Sequence, residues 1–131
     1  MSNVRLRCWL RMSNNNLTET GIQIALLTSL EEQLTSHSSG LKRVFINNNT
    51  ETPLTQFAYG SLKKGDQTGV HVHKTMDEYF FIVSGEGVLE CGAENFTLIP
   101  KTFLKIPAGT NHNLSNNNDR VLEFVYFGIA T

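Results

Sequence analysis

The chain has 131 residues and a mass of 14.7 kDa, so a single domain is the natural count. Its net charge is −1 and its pI about 6.4, which leaves no basic surplus to neutralise phosphates and excludes nucleic acid as an expected partner. Cys8 and Cys91 are the only cysteines, far apart and in no metal spacing, so two free thiols in a reducing compartment are expected rather than a disulfide.

At the N-terminus, Arg5, Arg7 and Arg11 precede an apolar run, GIQIALLTSL, at 21–30. Gln23, Thr28 and Ser29 break that run, and Glu31 and Glu32 close it. It lacks the small-residue cleavage pattern of a secretory signal and is too short to span a bilayer. The expectation is a soluble, cytoplasmic chain with no membrane partner. Ser29 and Glu32 have capping-box spacing, which predicts a short helix after Ser29. SHSSG at 36–40 reads as a flexible link, and His37 within it as an ordinary loop residue.

Asn triplets at Asn14–Asn16, Asn47–Asn49 and Asn116–Asn118 mark turns, because Asn tolerates left-handed backbone and bonds its own main chain. They divide an N-terminal arm, residues 1–45, from a β-rich region, residues 46–131. That region reads as short β-prone runs at 54–62, 69–73, 78–84, 87–91, 95–99, 103–106, 112–115 and 121–129. The breaks, KKGD, SGEG, CGAE, IPK, PAGTN and SNNND, are rich in turn formers. Many short strands without intervening helices predict an all-β antiparallel sandwich or barrel. No repeat period points to a solenoid.

Two of the four histidines fall in one such run, GVHVH. Side chains alternate along a strand, so His71 and His73 face the same way. Glu78 lies an odd number of residues beyond His73, so KTMD must turn or bulge to bring it back to that side. His112 follows the turn IPAGTN, which a barrel could fold against the first pair. Three neutral imidazoles and a carboxylate suit a divalent metal and leave one or two positions of an octahedral ion open. Asp77 adjoins Glu78 and is expected to point away from it.

With these residues in place, the chain resembles the cupins, small β-barrels of jelly-roll type. Their first motif, G-x5-H-x-H-x4-E-x6-G, is matched by Gly65, His71, His73, Glu78 and Gly85. The second, G-x5-P-x-G-x2-H-x3-N, is matched by Pro107, Gly109, His112 and Asn116, with Lys101 where the first Gly is expected. Pro100-Lys101 suits a type I turn better than the type II turn that Gly would favour, so a changed hairpin is expected there. The resemblance implies an all-β antiparallel jelly-roll barrel with a short N-terminal arm. It also implies that His71, His73, Glu78 and His112 bind a divalent transition metal, with Mn, Fe, Ni, Zn and Cu all compatible with imidazole ligands.

If Glu78 points inward, Phe80 and Ile82 follow it by alternation. Phe57 and Tyr59 on the preceding run, and Tyr126 on the last, are further candidates for the wall, and Gln56 and Lys74 are the nearest polar ones. The expected substrate-binding set is Gln56, Tyr59, Phe80 and Tyr126, while no catalytic residue is assigned. A mostly apolar wall suggests a small organic ligand. VLEFVYFGI is apolar on both faces, as in a strand covered twice, with the barrel interior on one side and the N-terminal arm or a second subunit on the other; the resemblance implies back-to-back pairing into a homodimer. The resemblance implies metal-dependent enzymes of dioxygenase, isomerase, decarboxylase or lyase type. A non-catalytic module binding a small molecule or sugar is the alternative. A metal-free epimerase fits less well, since it would not need the complete ligand quartet.

Overall fold

The computed structural model describes residues 21–37, 39–48 and 51–131. Arg5, Arg7, Arg11, Cys8 and Asn14–Asn16 lie outside them, and so do the expectations attached to them. Seven of the eight expected runs become strands, the run 69–73 does not, and the arm adds two, so the strands among the described residues are β1 (Gln33–Leu34), β2 (Leu41–Ile46), β3 (Leu54–Leu62), β4 (Met76–Ser84), β5 (Gly87–Cys91), β6 (Glu94–Leu98), β7 (Phe103–Ile106), β8 (Asn113–Ser115) and β9 (Leu122–Ala130).

All pairings are antiparallel. One sheet has the order β1-β2-β3-β9-β4-β7, and the other the order β6-β5-β8. This is an all-β jelly-roll architecture whose two sheets are not closed into a continuous cylinder. Alternation decides which residues it buries. Phe80 and Ile82 of β4, Leu122 and Phe124 of β9, Leu62 of β3 and Ile106 of β7 meet Leu89, Leu98 and Leu114 of the smaller sheet in one core. At roughly 1.5–3 kcal/mol for each large apolar side chain buried, this cluster is the main force that joins the sheets.

The N-terminal arm departs from expectation. A single 3-10 turn, Leu27–Ser29, ends at Ser29, and no helix follows it. Glu31–Ser36 has no apolar stripe to bury against the barrel, so the capping-box signal has nothing to extend. Instead β1 turns back on β2, pairing Gln33 with Lys42 and Leu34 with Leu41. β2 is in turn hydrogen-bonded to β3 and is part of the larger sheet.

Two turns show how local chemistry sets the frame. Gly85 closes β4 with φ 78°, and a Cβ there would run into the Val121 carbonyl oxygen, so only glycine fits. Lys101 also takes positive φ, 71°, and Thr102 N–H bonds back to the Ile99 carbonyl at 3.2 Å. A positive angle at the third residue makes this a type II turn, so the expected shift to type I does not occur. The fold keeps the turn that glycine would make, and Lys101 bears the strain.

Candidate metal centre

The segment 69–73 forms no regular strand. It carries only an isolated bridge between His71 and His112, whose amides and carbonyls exchange two hydrogen bonds of 3.0 Å. Gly109 N–H bonds the His73 carbonyl at 2.8 Å, and Gly65 N–H bonds the Asn116 carbonyl at 2.7 Å. The two motif segments are thus laced together along their length by backbone hydrogen bonds. A bend at Lys74–Thr75 precedes β4, and Glu78 emerges from β4 on the same inward face as Phe80 and Ile82.

The result is one cluster. His71, His73, Glu78 and His112 each offer a ligand atom, and these atoms all lie within 4.8 Å of one another. Glu78 is 6% exposed and His112 3%, so this is an interior site. His112 Nε2 lies 3.1 Å from Glu78 Oε1, and His73 Nε2 lies 3.2 Å from the same oxygen.

Tautomers follow from the outer hydrogen bonds. His71 Nδ1 is 2.8 Å from the Gly69 carbonyl, and His112 Nδ1 is 2.9 Å from the Thr110 carbonyl. A carbonyl only accepts, so each Nδ1 carries a proton; Nε2 of His71 is left with its lone pair, while Nε2 of His112 is hydrogen-bonded to Glu78 Oε1. Such backbone anchors are the usual way a ligating imidazole is oriented. His73 Nε2 is fully buried and makes no hydrogen bond at all.

The residues present therefore fit a metal ion. His73 Nε2 stands 3.2 Å from Glu78 Oε1 with no hydrogen bond, and His112 Nε2 is hydrogen-bonded to the same oxygen at 3.1 Å; a cation shared by these donors would satisfy all three. A cation bonded to nitrogen and oxygen at about 2.1 Å spans up to about 4.2 Å between opposite donors, close to the spread of this cluster. Electrostatics agree. Burial lowers the His73 pKa, as do His71 and His112 nearby, and these outweigh the pull of Glu78. Burial also works against charge on His112. The hydrogen bond to Glu78, the Thr110 carbonyl and the Glu78 charge outweigh it and raise that pKa. The free protein fills the gap at His112 with a proton, where a metal would otherwise sit.

Two cavities meet at the cluster. One, of about 30 Å³, runs into the core past Phe80, Leu89, Leu114 and Phe124. The other, of about 100 Å³, is more polar and is lined by His73, Gln56, Lys42 and Thr55. Thr35, His37, Glu78 and Tyr126 line both. Burial, then the charge of Glu78, pushes the Tyr126 phenol up to about 12, so it keeps its proton.

Of the expected wall residues, Gln56, Phe80 and Tyr126 line these cavities. Tyr59 does not, and that expectation is corrected. Ala58, Gly60 and Leu62 are the buried, inward residues of β3, which sends Phe57 and Tyr59 to the outer face. There Phe57 packs on Phe45 and Phe127, and Tyr59 lies in an outer cleft with Glu123 and Arg43. Lys74 is exposed and lines neither cavity. Asp77 points outward and accepts a hydrogen bond from Ala108 N–H at 2.8 Å.

The arm supplies wall residues that the sequence did not suggest. The His37 ring centroid is 4.3 Å from that of His71 and 6.3 Å from that of His73. Its loop is built: His37 N–H bonds Thr35 Oγ1, Thr35 Oγ1 bonds the Ser39 carbonyl, and Ser39 Oγ is tied to Gln67. A two-residue alternation in LKRVFI was the available signal for Lys42, which pairs with Gly60 and shares the inward face with buried Val44. For His37 no local signal exists.

Comparison with known proteins agrees with this architecture. The Cupin domain family profile matches residues 58–128. No curated protein matches the chain. Among solved structures, it is similar to a predicted oxalate decarboxylase from Thermotoga maritima, with 20% identity, a TM-score of 0.72 and coverage of 82% of this chain and 99% of that one. It is also similar to the polyketide cyclase RemF from Streptomyces resistomycificus, with 12% identity, a TM-score of 0.73 and coverage of 82% and 79%. For KdgF from Halomonas sp. the values are 16%, 0.65, 79% and 92%. At these identities the likeness concerns the fold.

Proposed function

The chain belongs to the cupin domain family, and from that premise we propose that it holds one divalent transition-metal ion through His71, His73, Glu78 and His112 and acts as a metal-dependent enzyme, of dioxygenase or isomerase type, on a small organic or sugar-like substrate. The observation that carries this reading is the buried His73 Nε2, which lacks any hydrogen-bond partner and stands 3.2 Å from Glu78 Oε1. A bound ion would polarise a substrate oxygen at its open positions.

The chain's own residues do the rest. Gly69 and Thr110 hold two imidazoles in the tautomer that presents Nε2. Phe80, Leu89, Leu114 and Phe124 keep water out of the inner cavity. Tyr126, protonated, presents an O–H donor to a ligand beside Glu78.

Purified protein analysed for metals, then assayed for turnover with its native metal restored on oxygen-dependent and sugar substrates, tests the proposal. Metal with no turnover leaves a non-catalytic binding module. No metal at all overturns the reading.

We further propose that the chain works as a cytoplasmic homodimer. The outer face of the larger sheet carries an aromatic ladder, Phe45–Phe57–Phe127–Tyr79–Phe103, with neighbouring ring centroids 4.8–6.4 Å apart. Phe103, Phe81 and Val83 extend it and are 63%, 42% and 42% exposed. A second copy would cover such a patch. Among the described residues no helix is long and apolar enough to cross a membrane.

A further inference from the structure

The family-matched stretch, 58–128, contains the four metal-site residues, but the hairpin β1–β2 lies before it. That hairpin walls the polar cavity with Thr35, His37 and Lys42. Among the described residues, Lys42 is the one lysine or arginine lining either cavity at the metal centre. Its Nζ donates to Gln56 Oε1 at 3.1 Å, and Gln56 Nε2 in turn donates to Asn47 Oδ1 at 3.2 Å. The second bond fixes the amide so that its oxygen, not its nitrogen, faces the lysine. An ammonium has three donors, and Gln56 takes one. Among the described residues no carboxylate lies within ion-pair distance of Lys42. A half-buried, oriented, unpaired cation beside a metal site is placed to receive an anion.

We propose that the chain selects a small carboxylic acid, its carboxylate received by Lys42 in the polar cavity while an oxygen at its other end reaches the metal centre. This rests on the metal-centre reading above. Lys42 and the metal-centre residues His73 and Glu78 line one cavity of about 100 Å³, so a small molecule held there touches both points. His37, Tyr126 and Glu78 line both cavities and so flank its path. The β1–β2 hairpin is then the element that sets specificity, while the shared family segment supplies the metal.

The test uses the full chain loaded with cobalt(II), with ligand binding followed through the visible absorption of the metal. Succinate offers one carboxylate to the metal and one to Lys42, whereas imidazole is a neutral ligand that reaches the metal and carries no carboxylate for Lys42. Lys42→Met is expected to weaken succinate about tenfold or more, the loss of one charge-assisted contact, and to leave imidazole within about twofold. Lys42→Arg should restore most of the succinate affinity and shows that the site is intact. Equal weakening of both ligands, or of neither, overturns this inference alone, provided that cobalt still binds. A wild-type chain that takes up no cobalt overturns the metal reading and this inference with it.

Discussion

Gly65 N–H donates a 2.7 Å hydrogen bond to the Asn116 carbonyl, joining the first residue of one motif to the last residue of the other. Asn116 is fully buried. Its Nδ2 donates to the Leu62 and Arg120 carbonyls at 2.9 Å each, and its Oδ1 accepts from Asn118 N–H at 2.9 Å. Both motif ends are therefore structural fasteners for the segments that carry the histidines. Asn116→Leu leaves two carbonyls and an amide without partners, at about 1–3 kcal/mol for each truly buried group. A loss of roughly 2–4 kcal/mol in chemical denaturation is expected. Metal stoichiometry of the folded fraction should not change. A variant that denatures at the wild-type midpoint would reject this role.

The cluster itself predicts a sharp split between metal and fold. His73→Ala removes the buried nitrogen that has no protein hydrogen bond to lose. Metal content should fall well below one ion per chain while the far-ultraviolet β spectrum stays. In the wild type, free metal at about one hundred times its Kd adds about 2.7 kcal/mol to stability. A chelator should therefore lower Tm by several degrees in the wild type and hardly at all in His73→Ala. Equal Tm shifts in the two proteins would place the metal elsewhere.

Metal affinity should rise with pH, and the sign follows from two histidines. His73 is held neutral, its pKa below 6.5 through burial and the neighbouring imidazoles. His112 is different: burial opposes its charge, yet Glu78 and the Thr110 carbonyl carry its pKa above 6.5. In the free protein His112 keeps a proton above that pH, and the incoming ion must displace it. Affinity should climb by up to about tenfold per pH unit from 6.5 until the raised pKa is passed, then level off. Calorimetry in buffers of different ionisation enthalpy should show proton release on binding near neutral pH. Affinity that is flat from pH 6.5 upward would contradict the pairing of His112 with Glu78.

The cluster of His71, His73, Glu78 and His112 was legible because each member sits at a fixed offset from a turn, and turns are written locally in Gly, Pro and Asn. Strands β3, β5 and β7 were legible at their boundaries for the same reason. Face assignment was harder. Period-two alternation says that Phe57 and Tyr59 share a face, but only pairing with β9, which sets Ala58 against Tyr126 and Gly60 against Phe124, says which face is inside. His37 was beyond local reading, because its contact with His71 exists only once β1 folds back on β2 and Ser39 ties the loop to Gln67. The helix expected after Ser29 failed where a local cap had no apolar stripe behind it.

The type II turn at Ile99–Thr102 yields a stabilising substitution. Lys101 has φ 71°, a region that costs a residue bearing a Cβ about 1–2 kcal/mol. Lys101→Gly removes that cost but loosens the unfolded chain by about 0.5–1 kcal/mol. A net gain of about 0.5–1 kcal/mol is expected, seen as a higher denaturation midpoint with unchanged slope. A loss of stability would mean that the lysine side chain contributes more at this turn than its backbone strain costs.

The aromatic ladder makes the oligomeric state a test of the outer face. Tyr79 stacks on Phe127 at 4.8 Å and 9°, so the centre of the ladder is ordered within one chain, while Phe103 at its edge is 63% exposed. Lys105 lies two residues beyond Phe103 on the same face, its Nζ 5.8 Å from the Tyr79 ring. Lys105 is paired with Asp77 at 3.8 Å, so Phe103→Lys places an uncompensated positive charge in the patch, and a twofold contact would bring the charges of two copies together. The wild type should sediment as a dimer at micromolar concentration and Phe103→Lys as a monomer, with Tm little changed because the side chain is exposed. Phe103→Tyr should remain a dimer. A wild-type monomer at that concentration would leave the ladder as an uncovered surface and end the dimer proposal, and a dimeric Phe103→Lys would move the interface to another face.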